Sequence, residues 1–265
     1  MNDIYESSKI WLTIDVEEIT DTNFNIKWNT IPSLDYEKLI DNWINLNDTL
    51  NTKSTCFVLG SFAQKYPDLI KKLSNSGHEI ASHGNNHNLV YKMTLSDWEE
   101  SLIDSKKILE DLIGKEVTGY RSASWSLPFE KKYYESLARN GYKYSSSYFP
   151  MKTYMYGNKI DKKSPFNVDT EYGRIIEYPL LKNLLPYSGG FYLRVLPLLI
   201  EKYLFKNSIK NNFKPIIYIH PYELLNKNLM NYFKTYANIN LDFILAFYST
   251  TLPLEKIKSI LKSSK

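Results

Sequence analysis

Six side chains carry related chemistry, and each stands at or just beyond the end of a short apolar run. Trp11-Leu12-Thr13-Ile14 ends on Asp15, with Glu17 two places on; Glu79-Ile80-Ala81-Ser82 ends on His83, with His87 four places on. Val117-Thr118-Gly119-Tyr120 ends on Arg121, and Ile216-Ile217-Tyr218-Ile219 ends on His220. In barrels of parallel strands the catalytic groups gather at the C-terminal ends of several strands, which is the pattern these residues make.

The histidine spacing suggests a metal. On a helical turn, residues i and i+4 share a face, so His83 and His87 can reach one cation. Neutral imidazole suits zinc, cobalt, nickel or iron. The bland reading is two loop histidines in water; against it stand the scarcity of histidine, four in the chain, and the strand before His83. Asp15-Val16-Glu17 puts two carboxylates on one side of an extended segment. A surface acidic stretch continued by Glu18 is the alternative, but Asp15 directly follows a buried-strand pattern. Two histidines and one carboxylate leave positions open for water and substrate, as in catalytic sites. A second carboxylate can then take a proton from that water. Arg121 cannot lose its proton and would fix a carboxylate in its ionised form, or else form a structural ion pair. His220 could protonate a leaving amine, or be a satisfied core histidine. His78 precedes its strand, lies at the opposite face, and is assigned no chemistry.

These groups need strands to hold them. Ser33 can cap a helix over Leu34–Leu50; Thr55–Leu59 reads as a buried strand closed by Gly60; Pro67 opens a helix that Gly77 stops. Helices follow over Ser96–Ile113 and Glu130–Asn140, then a strand over Ile175–Tyr178 and a helix over Leu193–Lys210. Thr251 can cap a last helix from Pro253. The alternation argues for parallel strands joined by crossover helices. Residues 147–173 lack a period and read as a long irregular loop. No internal repeat or low-complexity linker is visible, so a single domain over 1–265 is expected.

Composition narrows the class. With 265 residues, 43% hydrophobic and 23% charged, the chain is an ordinary globular protein that buries a full core. A net charge of +4 is too small and dispersed to argue for nucleic acid. The four lysines from Lys256 to Lys265 read as a solvated helix end. Cys56 is the only cysteine, and the first residues show no basic start followed by an apolar core, so a cytoplasmic location is expected. The stretch Val195–Phe205 is too short and charged to span a bilayer, leaving at most peripheral membrane contact through Leu193–Lys210.

Taken in order, LTIDVEE, TCFVLGSFAQKYPDLIKKLSNSGHEIASHGNNHNLVY, GYRSASWS, PYSGGFYLRVLP and IIYIHPYE resemble the polysaccharide deacetylase family, the NodB-homology carbohydrate esterases. The likeness is to the branch whose first motif reads Asp-Val-Glu, as in exopolysaccharide-cluster deacetylases. The resemblance implies a distorted (β/α) barrel of the NodB-homology type with fewer than eight regular repeats. It implies hydrolysis of an N-acetyl group on an amino sugar or oligosaccharide, with one divalent metal, zinc first and cobalt, nickel or iron as alternatives. It makes Asp15 the base, Glu17, His83 and His87 the ligands, Arg121 the residue that orients the base, and His220 the acid. The backbone N–H near Ser124 would hold the oxyanion, and Trp125, Tyr148, Phe149 and Tyr192 could stack on sugar faces. The Gly189-Gly190 pair permits close backbone approach to a ligand. Ala123 stands where the family usually has proline, and no fourth motif is located; Glu177, on a strand, can enter the barrel. The same metal site on a small cyclic amide or imide, and a non-catalytic sugar-binding barrel, are the alternatives.

Overall fold

Period-two alternation along the strands sorts the side chains into two cores. On β1 (Trp11–Val16), Leu12, Ile14 and Val16 face the helices, whereas Trp11 belongs to an inner aromatic cluster with Phe57, Ala81, Trp125, Tyr144, Tyr178 and Tyr218. A sheet buried on both faces reads as the near-continuous apolar runs of the sequence. The structure, a computed structural model, describes residues 3–153, 157–158, 162–183 and 186–264.

The remaining strands are β2 (Thr55–Val58), β3 (Glu79–Ser82), β4 (Gly119–Tyr120), β5 (Tyr144–Ser145), β6 (Phe166–Thr170), β7 (Gly173–Glu177) and β8 (Ile216–Ile219). They form one sheet in the order β6-β7-β5-β4-β3-β2-β1-β8. Every pairing is parallel except the β6–β7 hairpin. The sheet curls into the expected distorted (β/α) barrel. Its register is set so that Ile14 pairs with Ile219 and Ser82 with Tyr120, which brings Asp15 beside His220 and His83 beside Arg121 one residue further on.

The helices are α1 (Asp3–Ser7), α2 (Tyr36–Thr49), α3 (Gly60–Lys65), α4 (Pro67–Asn75), α5 (Leu95–Ile113), α6 (Lys131–Arg139), α7 (Gly190–Val195), α8 (Leu198–Lys210), α9 (Leu229–Phe233), α10 (Leu241–Phe247) and α11 (Pro253–Ser263). Most cover the outer face, but Tyr5 of α1 joins the inner aromatic cluster, and α9 and α10 build a third cluster. No described helix is long and apolar enough to cross a membrane.

Several local expectations are corrected. Asp35, not Ser33, caps α2, accepting from the Lys38 N–H at 3.0 Å. Gly60 opens a helix rather than only closing a strand. Thr251 does not cap α11; Leu252 holds that place without a side-chain bond. The expected helix over Leu193–Lys210 is two, because Pro197 has no N–H to continue the ladder. Residues 147–173 are not all loop: Phe166–Thr170 pairs with β7, while residues 154–156 and 159–161 lie outside the described set. Lys256 is no solvated helix end. It is buried against Glu201 at 3.2 Å, and its Nζ donates to the Leu193 and Leu196 carbonyls.

Candidate active site

At the C-terminal end of the barrel, a cavity of about 80 Å³ is lined by Asp15, Glu17, His83, His87, Arg194 and His220, with Ser124, Trp125 and Tyr192 at its wall. A larger cleft of about 840 Å³ lies at the opposite ends of the strands, among Ile10, Lys53 and Gly77, and holds none of these groups. The chemistry decides between them, and it is in the small one.

The Nδ1 of His83 lies 2.8 Å from the Arg121 carbonyl oxygen. A carbonyl can only accept, so Nδ1 carries the hydrogen and Nε2 of the neutral ring is bare. His87 approaches by a route that its spacing does not reveal. Residues 84–87 are a loop, turned at Gly84 with φ +86°, and not a helical turn. The Asn85 N–H donates to Ser101 Oγ at 2.9 Å, which fixes the bend, and the two rings end 5.4 Å apart.

Glu17 Oε2 lies 2.9 Å from His87 Nε2 and 3.6 Å from His83 Nε2. That oxygen is buried, and although both imidazoles crowd it, no described group meets it with good hydrogen-bond alignment. The ligand atoms of Glu17, His83 and His87 all lie within 4.8 Å of one another. A buried carboxylate oxygen without a well-aligned donor calls for an explanation. One carboxylate and two imidazoles are a donor set of the hydrolytic kind, so these residues fit a divalent cation. Burial opposes the charge of Glu17, but His87, His83 and His220 outweigh it and hold its carboxyl well below the usual range. In His87 burial also opposes the charge, and Glu17 outweighs it, raising the imidazole.

Arg121 is fully buried. Its Nη1 donates to Asp15 Oδ1 at 2.7 Å and Thr13 Oγ1 at 2.9 Å; Nε and Nη2 donate to the Ser146 carbonyl and hydroxyl. Phe57 and Trp125 flank the guanidinium at 4.0 and 4.8 Å. Stacked and forked in this way, the cation fixes Asp15 in one orientation.

His220 ends β8. Its backbone N–H and Nδ1 both contact Glu223 Oε2, at 2.8 and 2.9 Å, in the short turn opened by Pro221. Glu223 Oε1 in turn accepts from Arg194 Nη1 at 2.8 Å, and both members of that pair are buried. Burial alone would lower the His220 imidazole; Glu223, Glu17 and Asp15 outweigh it and push it up to about 9. Its Nε2 is left facing Glu17 Oε1 at 3.8 Å. Glu223 and Arg194 lie inside the motifs IIYIHPYE and PYSGGFYLRVLP, but the sequence assigns neither a role, although Glu223 stands at the i+3 spacing of a capping box from His220.

The loop after β4 contains two consecutive non-glycine residues at positive φ, Ser124 (48°) and Trp125 (56°). Such backbone costs about 1–3 kcal/mol per residue and persists where the surroundings enforce it. Serine hydroxyls do the enforcing where proline is absent. Ser126 Oγ accepts from the Val90 N–H at 2.9 Å, Ser122 Oγ from Leu127 at 3.1 Å, and Ser147 Oγ from Ser122 at 2.9 Å.

Other candidates lie elsewhere. Tyr148 and Phe149 are buried core, and Trp125 touches the cavity only with a largely buried ring. Glu177 does not enter the site; it accepts from the Ser147 and Tyr148 N–H groups and from Tyr134. The Gly189-Gly190 pair packs closely on Tyr218, where a Cβ on Gly189 would lie 2.4 Å from the Tyr218 carbonyl oxygen, and Gly190 also lines the cavity. His78 is buried at the far end of its strand against Ser54, and burial pulls it down to about 4.

Residues 8–145 match the family model described as polysaccharide deacetylase, and residues 146–242 match one described as a domain of unknown function, DUF3473. Over 94 residues the chain is 32% identical to a peptidoglycan deacetylase of Helicobacter pylori, covering 36% of this chain and 31% of that protein. The chain thus spans about a third of the length of that relative. The solved structure of Puue allantoinase superposes with a TM-score of 0.59 at 14% identity, covering 96% of this chain and 84% of that one. A family 4 carbohydrate esterase from Streptomyces lividans, in complex with acetate, gives 0.51 at 10% identity over 96% and 86%. At such identities these two likenesses concern the fold.

Proposed function

The chain belongs to the polysaccharide deacetylase family, and on that premise we propose that it removes the N-acetyl group of an amino sugar by cation-assisted amide hydrolysis. The observation that carries this reading is the convergence on one small cavity of a pinned carboxylate, an acceptor set for a cation and a partly buried imidazole. The cavity is far smaller than the roughly 300–1,000 Å³ of pockets that enclose whole ligands. It suits an acyl group and one water, with the sugar ring at the mouth beside Phe191 and Tyr192.

Glu17, His83 and His87 would hold the cation, zinc by preference for this donor set. Bound there, it supplies Lewis-acid polarisation of the acetyl carbonyl and a water of lowered pKa. Asp15, oriented by Arg121, accepts the proton of the attacking water. The Ser124 N–H donates to the oxygen that gains charge, a role for which a rigid backbone donor is suited. His220, protonated through Glu223, donates from Nε2 to the departing amine nitrogen. The substrate belongs to a glycan or a glycan precursor of the exopolysaccharide kind.

The test is acetate release from a panel of N-acetylated oligosaccharides by zinc-loaded protein, with cyclic ureides in parallel. Acetate from a sugar supports the reading. Ring opening of a ureide without acetate release would move the enzyme to the cyclic-amide class; zinc uptake without any hydrolysis would make it a binding barrel.

A further inference from the structure

The two histidines at the cation site are held in different ways. His83 is committed: a carbonyl faces its Nδ1, so its Nε2 is always bare when the ring is neutral. His87 Nδ1 faces the side-chain amide of Asn23 at 2.9 Å. An amide offers a donor at one end and an acceptor at the other, and the two ends exchange by a half-turn.

We propose that Asn23 is a positioning residue for His87, turning its amide end for end to set the ring tautomer that can bind a cation. This rests on the reading of Glu17, His83 and His87 as ligands. With the nitrogen end toward the ring, Nδ1 accepts and the hydrogen sits on Nε2, 2.9 Å from Glu17 Oε2. That is the cation-free arrangement. With the oxygen end toward the ring, Nδ1–H donates and Nε2 is bare, aimed at the point where Glu17 and His83 converge. The second partner of the amide tolerates both positions. Ser124 Oγ, 3.0 Å away, accepts from the nitrogen end and donates to the oxygen end, and the turn gives up only the long bond from the nitrogen to the His87 carbonyl at 3.4 Å. Asn23 therefore also ties the state of His87 to the strained segment at Ser124 and Trp125. Partners behind a ligating histidine fix its tautomer, and losing one typically costs about 10–100-fold in metal affinity.

The experiment measures zinc affinity at pH 8 by competition with a chromophoric chelator for wild type, N23L, N23D and H87A. The His87 tautomer is read by long-range nitrogen NMR of the wild type with and without zinc. Wild type should move from Nε2–H to Nδ1–H on loading. N23L should bind zinc about 10–100-fold more weakly. N23D, which always presents an acceptor, should stay within a few-fold of wild type, whereas a merely structural role would be hurt by the new charge at least as much as by leucine. Normal zinc affinity in N23L, with affinity lost in H87A, overturns the role of Asn23 alone. An unchanged tautomer in the wild type overturns it too, and needs no variant to fold. Equal affinity in H87A and wild type overturns the ligand assignment and this inference together.

Discussion

Replacing Glu223 with glutamine separates the acid step from the rest of the reaction. Glu223 accepts three hydrogen bonds: Arg194 Nη1 at 2.8 Å, and the His220 N–H and Nδ1 at 2.8 and 2.9 Å. Glutamine keeps one acceptor oxygen, so at least one of these donors meets an NH₂ instead. The change also leaves the buried Arg194 without its anion. Breaking a buried pair typically costs about 3–5 kcal/mol, so the variant should unfold at distinctly lower denaturant. The catalytic effect has a separate origin. The rise of His220 to about 9 comes from Glu223, Glu17 and Asp15 acting against burial. A cation on Glu17 cancels that residue's share, which makes Glu223 the main support of the protonated ring in the loaded enzyme. Its removal should draw the alkaline limb of the pH–rate profile for an N-acetyl sugar to lower pH, each tenfold loss of proton affinity amounting to about 1.4 kcal/mol. General acid catalysis contributes about 10²–10⁴-fold, and above the shifted limb most of this should vanish for an amine leaving group. Hydrolysis of 4-nitrophenyl acetate should fall only a few-fold, because nitrophenolate departs without a proton. Amide and ester activities falling in the same proportion, with the alkaline limb unmoved, would refute the assignment of Glu223 to the acid step.

Asp15→Asn should retain zinc while turnover drops about 10²–10⁴-fold; zinc loss there, with normal binding in Glu17→Gln, would show the two acids exchanged. His83→Ala should lose zinc while staying folded by circular dichroism, and full occupancy would remove it from the ligand set. For the cation-free protein the sign of the pH dependence follows from His220, raised in the fold from 6.5 to about 9. Its stabilisation, on the order of 3 kcal/mol for such a rise, is complete below about 6.5 and is lost as pH rises through about 9. Melting temperature without zinc should therefore fall across that window, and a rise would contradict it. Gly189→Ala should cost about 1–3 kcal/mol by overpacking against Tyr218; a melting temperature equal to wild type would show that α7 shifts freely.

What can be read along the chain is whatever the strands impose. Asp15, His83, Arg121 and His220 each sit at or just past the C-terminal end of a parallel strand, and the point where each continuous apolar run stops makes that visible in one dimension. The spacing points to His87 for the wrong physical reason, since a loop bent at Gly84 delivers it. Arg194 is invisible because its meaning lies in a partner 29 residues away. Asn23 is invisible because loops from β1 and β3 meet only in the fold, and no spacing records the meeting. The break at Pro197 is legible in principle: a residue without an N–H inside an apolar period ends the helix there, and the period alone hides it.

Arg121 serves the site with two different parts of itself. Its guanidinium aims Asp15, and its main-chain oxygen sets the His83 tautomer. Only the first depends on the side chain, because every amino acid has the same carbonyl. A single substitution at this position can therefore disarm hydrolysis and leave cation uptake in place.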